Sequence, residues 1–307
     1  MDAREGWDES WDVVSGVGIT ALGVAATRAM ETTRDDALID DPYAAKFVER
    51  AGARLPVPLP TSLGAATALG NGAGEDENWR RFFLAMAGYM GVRSRFFDDW
   101  FADAAASGIR QAVILAAGLD TRAYRLSWPD GTLLFEIDQP RMLEFKDEVL
   151  ADENAVASCT RHTVPIDLRE DWSDALRRAG LGPDRPTAWL AEGLLPYLPG
   201  EAATGLFETV ARLSAPGSRI ALEDMDRDAR DVVREPRFAA MQQRYGVDMA
   251  AMWPEGERPD PAEWFRAHDW RVETVRGAEA AQRYGRPLGE AARGTFDRAT
   301  LLTAATG

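Results

Sequence analysis

Short apolar runs of four to six residues recur along the chain from residue 112 onward, and turn residues bound each of them. They fall at 112–117, 132–137, 162–166, 188–191 and 219–222, and two further strand-like segments, 270–275 and 299–303, close the chain. Runs of this length and uniform hydrophobicity are typical of strands buried on both faces of a sheet. Helical patterns lie between them, and this alternation predicts right-handed crossovers and a parallel sheet.

Three helices are indicated by apolar spacing or by start signals. The first is amphipathic and ends near Gly108, with its apolar positions at Val92, Phe96, Phe97, Trp100, Phe101 and Ala104. The second has Pro140 near its first turn, and the third runs from Glu201 to a turn at 215–217. Such helices supply the layers that cover a doubly wound sheet.

A length of 307 residues allows one large domain or two small ones, and 46% hydrophobic residues suffice for a sizeable core. We predict a single domain with a helical N-terminal segment over 1–108, a ligand-binding sheet core over 109–224, a helical cap over 225–261 and C-terminal strands over 262–307. The cap is assigned because its Pro, Met, Trp and charged residues form no strand pattern. The stretch 51–74, rich in Pro, Gly, Ala and Leu, indicates an irregular connection.

Charge and cysteine content narrow the expected partners. Fifty acidic against 35 basic side chains give a net charge of −15, which repels phosphate backbones and anionic lipids, so neither nucleic acid nor membrane is expected. Cys159 is the only cysteine, which excludes an intramolecular disulfide and a four-cysteine zinc site. The N-terminus lacks signal-peptide features, and the apolar stretch 13–27 is shorter than the roughly 20 residues that span a bilayer. We therefore expect a cytoplasmic protein that acts on a small molecule.

Acidic residues stand at the carboxyl ends of the predicted strands, where a doubly wound sheet binds its ligands. The residues at these ends are Gly118, Asp120, Glu136, Asp138, Asp167, Glu192, Glu223 and Asp224. Each acid alone is also typical of a cap on the next helix. Together, acids around one crevice repel one another unless a cation or many hydrogen-bond donors face them. A metal ion or a positively charged organic ligand would meet this requirement.

A metal ion is the less favoured of these two ligands. The chain has only two histidines, His162 and His268, and neither pairs with another histidine or a cysteine at the spacing of metal ligands. Asp138 lies about twenty residues beyond Gly118, at the end of the second strand, where an acid binds the hydroxyls of an adenosine ribose. The sequence therefore favours a ligand that contains a nucleoside, and no metal.

Two nucleoside cofactors are compatible with an acid at this position, NAD and S-adenosylmethionine. NAD needs a Gly-x-Gly-x-x-Gly loop for close approach to its pyrophosphate, whereas residues 116–121 read Ala-Ala-Gly-Leu-Asp-Thr. Asp120 would also direct a negative charge toward that pyrophosphate. S-adenosylmethionine has a ribose but no phosphate, and its sulfonium and α-ammonium groups suit an acidic crevice. The loop therefore favours S-adenosylmethionine, with NAD as an alternative.

Six motifs occur in the same order as in a known protein family. They are Asp-Pro-Tyr-Ala at 41–44, Val-Arg-Ser-Arg-Phe-Phe-Asp-Asp at 92–99, Ala-Gly-Leu-Asp-Thr-Arg-Ala-Tyr-Arg-Leu at 117–126, Glu-Ile-Asp-Gln-Pro at 136–140, Ile-Asp-Leu-Arg at 166–169 and Glu-Gly-Leu-Leu-Pro-Tyr-Leu at 192–198. In these motifs the chain resembles the leucine carboxyl methyltransferase family, particularly its actinobacterial members and polyketide O-methyltransferases. The resemblance extends from about residue 18 to residue 304.

The resemblance implies an α/β fold, namely the Rossmann-like sheet of class I methyltransferases, with seven mostly parallel strands and an antiparallel last strand. In such a fold the N-terminal helical segment and the helical cap after the fifth strand cover the active site. Arg93 matches the arginine that binds the carboxylate of S-adenosylmethionine. Gly118 matches the glycine that approaches its methionine portion, and Glu192 the acid near its ammonium group.

The same resemblance assigns the adenosine end of the cofactor. Asp138 matches the acid that binds the ribose. Asp167 and Leu168 match the pair that contacts adenine through a carboxylate oxygen and a backbone N–H. Ala116 stands where fuller versions of the glycine motif have glycine, and Ser94 where threonine is common. Both residues are small, so we expect cofactor binding to be retained.

The acceptor is inferred from the chemistry of methyl transfer. A carboxylate, with a reference pKa of about 4, is ionised at neutral pH and needs no general base, whereas a phenol, with a pKa of about 10, usually needs one. Since neither histidine follows a strand at the crevice, we predict methylation of a carboxylate on a small, natural-product-like acceptor. Methylation of a hydroxyl on a polyketide or other secondary metabolite, and a non-catalytic regulatory protein that binds the cofactor, are the alternatives.

A substrate carboxylate that enters an acidic crevice needs a cation. Arg28, Arg122 and Arg125 are candidates, although Arg122 and Arg125 are also suited to bind helix termini or acids such as Asp120. Tyr197, after the fourth strand, is suited either to touch the substrate or to pack. We expect Arg28 and Tyr197 to contact the substrate.

Overall fold

The N-terminal part of the chain is helical in the computed structural model, which describes residues 13–68, 75–225, 245–246, 248–292 and 294–307. Its helices are α1 (Gly16–Thr32), α2 (Ala44–Ala51), α3 (Leu63–Ala68) and α4 (Glu75–Ala106). The predicted amphipathic helix forms the C-terminal half of α4, and the chain leaves it through Gly108, whose φ of +98° favours glycine. The stretch 51–74 is more helical than predicted, because α3 and a 3-10 turn at Gly52–Arg54 lie within it, while 69–74 fall outside the described residues.

The sheet contains β1 (Gln111–Leu115), β2 (Leu133–Asp138), β3 (Thr160–Pro165), β4 (Ala188–Ala191), β5 (Arg219–Asp224), β6 (Arg271–Arg276) and β7 (Thr300–Ala305). Its strand order is β3-β2-β1-β4-β5-β7-β6. Neighbours among the first five strands pair in parallel, whereas β7 is antiparallel to both β5 and β6. This confirms the predicted fold class, a seven-stranded and mostly parallel sheet with an antiparallel last strand.

Further helices follow the strands in the described part of the chain. They are α5 (Arg122–Arg125), α6 (Pro140–Asp152), α7 (Trp172–Arg178), α8 (Gly200–Leu213), α9 (Met249–Met252), α10 (Pro261–Ala267) and α11 (Gly277–Arg283). Pro140 is the first residue of α6, where its fixed φ and missing N–H suit a helix start. The helix predicted from Glu201 begins at Gly200, and it ends before the predicted turn at 215–217.

Alternate residues of the central strands face two different layers of the core. Val113 of β1 joins the cluster that contains Phe207 of α8, whereas Ile114 joins the cluster that contains Phe97 of α4. Every residue of β1 is buried, which explains why the run at this strand is apolar rather than alternating. The C-terminal half of α4 therefore covers one face of the sheet, although it precedes β1 in the chain.

A third apolar cluster forms what we call the N-terminal cover, which consists of α1, α2 and the N-terminal half of α4. Leu22, Phe47 and Phe83 belong to this cluster, together with Leu119 of the loop after β1. The cover thereby lies over the carboxyl ends of the strands. Of the predicted cap at 225–261, residues 226–244 and 247 lie outside the described residues.

The loop after β1 contains two residues in the left-handed region of backbone conformation. Ala116 has a φ of +51° and Gly118 a φ of +48°. Glycine adopts this conformation freely, whereas the Cβ of alanine crowds the following carbonyl at a cost of roughly 1 kcal/mol. Ala116, one of the two departures from the family pattern, therefore holds backbone strain.

The replacement Ala116→Gly should stabilise the fold, because glycine removes the left-handed strain. We expect the free energy of unfolding in urea to rise by about 0.5 to 1 kcal/mol. Ala117→Gly is the matched control, since Ala117 is buried and has no positive φ. It should lower the same free energy by about 1 kcal/mol. Destabilisation of both variants to the same extent would contradict the strain at Ala116.

Candidate functional site

The loop after β1, which we call the glycine loop, is hydrogen-bonded to the end of β2. The Gly118 amide donates to Oδ2 of Asp138 at 2.6 Å, and the Gln139 amide donates to Oδ1 at 2.7 Å. A Cβ built on Gly118 would lie 3.7 Å from the Cβ of Ala21, so α1 crosses directly over the loop. The structure thus brings Gly118 and Asp138 together beneath the N-terminal cover.

Asp138 differs from most strand-end acids because no described lysine or arginine forms an ion pair with it. Burial raises its pKa to about 6, and the amide hydrogens of Gly118 and Gln139 oppose that rise only in part. A carboxylate that receives two amide hydrogens still has lone pairs for further donors. A pair of ribose hydroxyl groups is a suitable source of those donors.

Asp167 and Leu168 lie in the loop after β3, beside Gln139. Asp167 accepts from Gln139 Nε2 at 2.6 Å and from the amide and Nε of Arg169 at 2.8 and 2.9 Å. Burial raises the pKa of Asp167, but the donors from Arg169 and Gln139 outweigh burial and leave that pKa below its ordinary value. Leu168 is half-buried, and no described residue accepts a hydrogen bond from its amide. A carboxylate beside an uncommitted N–H is the pairing that an adenine edge requires.

Arg93 of α4 reaches the carboxylates that follow β4 and end β5. Its Nε lies 2.8 Å from Oε1 of Glu192, but the N–H bond is not aligned for a hydrogen bond. Its Nη1 donates an aligned hydrogen bond to Oε2 of Glu223 at 2.7 Å. The hydroxyl of Tyr89 donates to Oε1 of Glu223 at 2.6 Å. The predicted residues Arg93 and Glu192 therefore meet, together with the strand-end acid Glu223 and with Tyr89, which was not predicted.

Arg122 joins three carboxylates from separate parts of the fold. Nη1 donates to Oε2 of Glu192 at 2.7 Å and to Asp120, and Nε donates to Asp98 at 2.7 Å. Burial raises the pKa of Glu192, but Arg122 and Arg93 together hold it below its ordinary value. Burial also raises the pKa of Asp120, and Arg122 outweighs it and holds that pKa at about 2. Glu192 and Asp120 are therefore ionised at neutral pH.

The arginines considered as substrate cations are bound to acids. Arg125 donates to both oxygens of Asp98, through Nη1 and through Nη2 at 2.8 Å. Arg122 and Arg125 thus take the second role considered for them, which is to bind acids of the protein. More broadly, the strand-end acids are largely neutralised by the chain itself, as when Glu136 binds Lys146 and Arg161. The acids alone therefore do not establish a cationic ligand.

Arg28 of α1 is bonded to the glycine loop. Its Nε donates to Asp41 at 2.8 Å, and its Nη2 donates to the carbonyl of Leu119 at 2.6 Å. Asp41 also accepts from the hydroxyl of Thr121 at 2.7 Å. These bonds fasten the N-terminal cover to the loop. Contact between Arg28 and the substrate stays a prediction.

Tyr197 ends a 3-10 turn after β4, Leu195–Tyr197. Its hydroxyl lies beside Thr20 of α1 and Trp253. It is also close enough to Arg93 for that positive charge to lower the pKa of the phenol. Burial raises the pKa of Tyr197, so its phenol is neutral at physiological pH. The indole Nε1 of Trp253 is buried and lies within hydrogen-bonding range of the Tyr197 hydroxyl, but no described residue accepts its hydrogen in aligned geometry. Two neutral donors therefore meet between α1 and the segment that precedes α10.

Both histidines have structural surroundings. The ring of His162, in the middle of β3, stacks on Phe135 at 5.0 Å. The ring of His268 stacks on Trp264 at 3.7 Å. The described residues contain no group of three His, Cys, Asp or Glu side chains placed to hold a metal ion. In the same part of the chain, no helix combines the length and hydropathy needed to cross a membrane.

The sequence reasoning missed Tyr89, Asp98 and Trp253. Tyr89 lies one helical turn before Arg93, and this spacing could have indicated that their side chains share a face of α4. Asp98 lies within the motif at 92–99, but its partners, Arg122 and Arg125, come from another part of the chain. The position of Trp253 beside Tyr197 has no local sequence signal.

The strand order, the antiparallel β7 and the glycine loop define a class of protein. The sheet is that of class I methyltransferases, and a single glycine with an acid after β2 suits an adenosine without a pyrophosphate. The unoccupied hydrogen-bonding capacity of Asp138 and of the Leu168 amide fits the adenosine of S-adenosylmethionine. The fold is thus that of the S-adenosylmethionine-dependent methyltransferases, and the chemistry of these side chains fits their cofactor.

Comparison with known proteins agrees with this class. The model of the family described as leucine carboxyl methyltransferase matches residues 21–211. A relative from Saccharopolyspora erythraea is 48% identical over 297 residues, which cover 97% of this chain and 98% of the relative. A relative from Rhodococcus jostii is 47% identical over 304 residues, with 96% and 98% covered. The names of both describe them, provisionally, as S-adenosyl-L-methionine-dependent methyltransferases.

A solved structure extends the comparison to the fold. The crystal structure of a DUF574 family protein from Streptomyces avermitilis aligns with a TM-score of 0.52 at 16% identity, covering 79% of this chain and 95% of that one. The chain belongs to the leucine carboxyl methyltransferase family. It is an S-adenosylmethionine-dependent methyltransferase, which confirms the predicted enzyme class and cofactor.

The raised pKa of Asp138 should make cofactor binding depend on pH. In the predicted contact, ribose hydroxyls would donate to the ionised carboxylate of Asp138, and a group with a pKa of about 6 is mostly protonated at pH 5. The affinity for S-adenosylmethionine, measured by calorimetry, should therefore rise about tenfold from pH 5 to pH 7 and then level off. Asp138→Asn should bind more weakly at pH 7 and show no such rise. An unchanged pH profile in this variant would remove Asp138 from the ribose site.

Proposed function

We propose that the chain transfers a methyl group to a carboxylate of a small, apolar, natural-product-like acid. The observation that carries the proposal is the placement of both histidines in ring stacks away from the strand ends. Without a histidine base beside the acceptor, a nucleophile that is already ionised is favoured. A carboxylate meets this condition at neutral pH, whereas an alcohol or a phenol does not.

In this proposal the cofactor is held by Arg93, Gly118, Asp138, Asp167, Leu168 and Glu192. The support is that these residues converge on one edge of the sheet and keep acceptors and donors for an adenosine and an amino acid. The bound cofactor supplies a methyl group on a positively charged sulfur. The protein then has to bring the acceptor oxygen into line with that methyl group, and such positioning can lower the barrier by several kcal/mol.

We place the acceptor carboxylate against Tyr197 and Trp253. The phenol and the indole N–H are neutral donors, and the indole has no aligned acceptor among the described residues. Neutral donors orient a carboxylate without a competing salt bridge. Arg122 and Arg125 already bind acids of the protein. In this proposal Tyr197 and Trp253, rather than these arginines, therefore bind the carboxylate of the acceptor.

The surroundings of these donors favour an apolar acceptor. Ile19 and Met90 of the N-terminal cover and Met225 after β5 belong to one buried apolar cluster, against which Trp253 packs. An acceptor enclosed there loses water from its hydrocarbon part and keeps only its carboxylate hydrogen-bonded. In this proposal the described part of the cap at 248–261 and the N-terminal segment enclose the acceptor.

A product assay tests the proposed reaction. The protein, incubated with S-adenosylmethionine labelled in the methyl group and a panel of apolar carboxylic acids, should form a labelled ester that mild base hydrolyses. Each acid is paired with the alcohol of the same carbon skeleton as the control. Labelled products that withstand base, formed from the alcohols and not from the acids, would establish hydroxyl methylation instead.

Trp253→Phe tests the acceptor site, because it removes the indole N–H and keeps an aromatic ring. For an acid found in the panel, we expect the KM to rise about tenfold, as for the loss of a hydrogen bond to a charged group. The dissociation constant of S-adenosylmethionine should not change. Trp264→Phe, at the ring stack with His268, is the matched control and should leave both constants unchanged. A Trp253→Phe variant with an unchanged KM would place the acceptor elsewhere.

A further inference from the structure

We propose that Glu223 and Tyr89 are positioning residues that orient Arg93 toward the carboxylate of the cofactor. Neither belongs to the residues assigned from the family resemblance. The inference rests on the proposed role of Arg93 and goes beyond it, because it identifies what fixes the direction of the guanidinium group. It is carried by the hydrogen bonds of the described residues around Arg93.

The hydrogen bonds of Arg93 are unevenly distributed over its guanidinium group. Nη1 has an aligned hydrogen bond to Glu223, whereas the contact of Nε with Glu192 is a pair of charges without alignment. Among the described residues, none accepts a hydrogen bond from Nη2. Glu223 therefore determines the plane of the guanidinium, and the edge with Nη2 and the second hydrogen of Nη1 stays open. Two parallel donors on one edge match a carboxylate.

Gly193 leaves room beside that edge. A Cβ built on Gly193 would lie 3.5 Å from Nη1 and 4.0 Å from Nη2 of Arg93. Its φ of +65° also favours glycine. The backbone after β4 thus passes close to the guanidinium without a side chain that would cover its donors.

Glu223 is itself held at both carboxylate oxygens. Oε1 accepts from the hydroxyl of Tyr89, and Oε2 accepts from Arg93. The side chain of Glu223 is 3% exposed, so water does not compete for these bonds. A carboxylate bonded through both oxygens cannot rotate about its terminal bond without losing one of them.

Tyr89 is the rigid end of the chain of hydrogen bonds that leads through Glu223 to Arg93. Its ring is fully buried and stacks on Phe296, with centroids 5.0 Å apart and planes 18° apart. Tyr89 and Arg93 share one face of α4, so the helix fixes the separation of the two groups that bind Glu223. The series from Phe296 through Tyr89 and Glu223 therefore holds Arg93 in one orientation before the cofactor binds.

Two variants that conserve charge test the proposal. Tyr89→Phe keeps the stacked ring and removes the hydroxyl, and Glu223→Asp keeps the charge and shortens its reach. Each is titrated by calorimetry with S-adenosylhomocysteine, which has the amino-acid carboxylate, and with 5′-deoxy-5′-methylthioadenosine, which lacks it. We expect the affinity for S-adenosylhomocysteine to fall about tenfold and the affinity for methylthioadenosine to stay the same. Equal losses for both ligands, or no loss for either, would overturn the proposal.

Tyr284→Phe is the matched control, because Tyr284 also donates to a carboxylate, that of Asp99 at 2.9 Å, but outside the site. It should leave both affinities unchanged. Arg93→Met tests the premise separately and should weaken only the binding of S-adenosylhomocysteine. If Arg93→Met shows this pattern and Tyr89→Phe does not, the positioning role fails while the role of Arg93 stands. The titrations contain no methyl acceptor, so their outcome is independent of the proposed carboxylate substrate.

Discussion

The buried guanidinium of Arg122 is the interaction on which the arrangement of the site depends. It is 2% exposed and binds carboxylates of α4, of the glycine loop and of the segment after β4. A buried charge without partners costs several kcal/mol, so the fold accommodates Arg122 only where these three elements meet. The same meeting brings Arg93 of α4 to the ends of β4 and β5. A helix that precedes the sheet in sequence thereby becomes part of the proposed cofactor site.

Much of the fold could be predicted because hydrophobic pattern reports burial. The apolar runs became strands since both faces of the central strands are covered. Strand direction could not be predicted in this way, because the local hydrophobic pattern contains no information about whether β7 runs parallel or antiparallel to β5. That feature came from the family resemblance. The stretch 51–74 was predicted irregular from its Pro and Gly content, which concealed the alanine-rich α3 within it.

The site was predictable where its residues follow directly from the strands. Gly118 and Asp138 stand at the ends of neighbouring parallel strands, so sequence spacing places them together. Glu223 was also found at the end of its strand, but its pairing with Tyr89 and Arg93 could not be found in this way, because Tyr89 and Glu223 are 134 residues apart in the chain. Arg28 shows the same limit. Its bond to a carbonyl 91 residues away is set by how α1 packs on the loop, which no local motif encodes.

The ionic groups around Arg93 and Arg122 have an uneven formal charge. The joined side chains are four carboxylates, Asp98, Asp120, Glu192 and Glu223, and three guanidinium groups, Arg93, Arg122 and Arg125. S-adenosylmethionine has one net positive charge, and the demethylated product is neutral overall. This cluster therefore has one negative charge in excess, which the positively charged cofactor would compensate and the neutral demethylated product would not. In the proposed cofactor site, this excess charge favours the methylated form of the cofactor over the demethylated form, and so favours exchange of the spent cofactor for a fresh one.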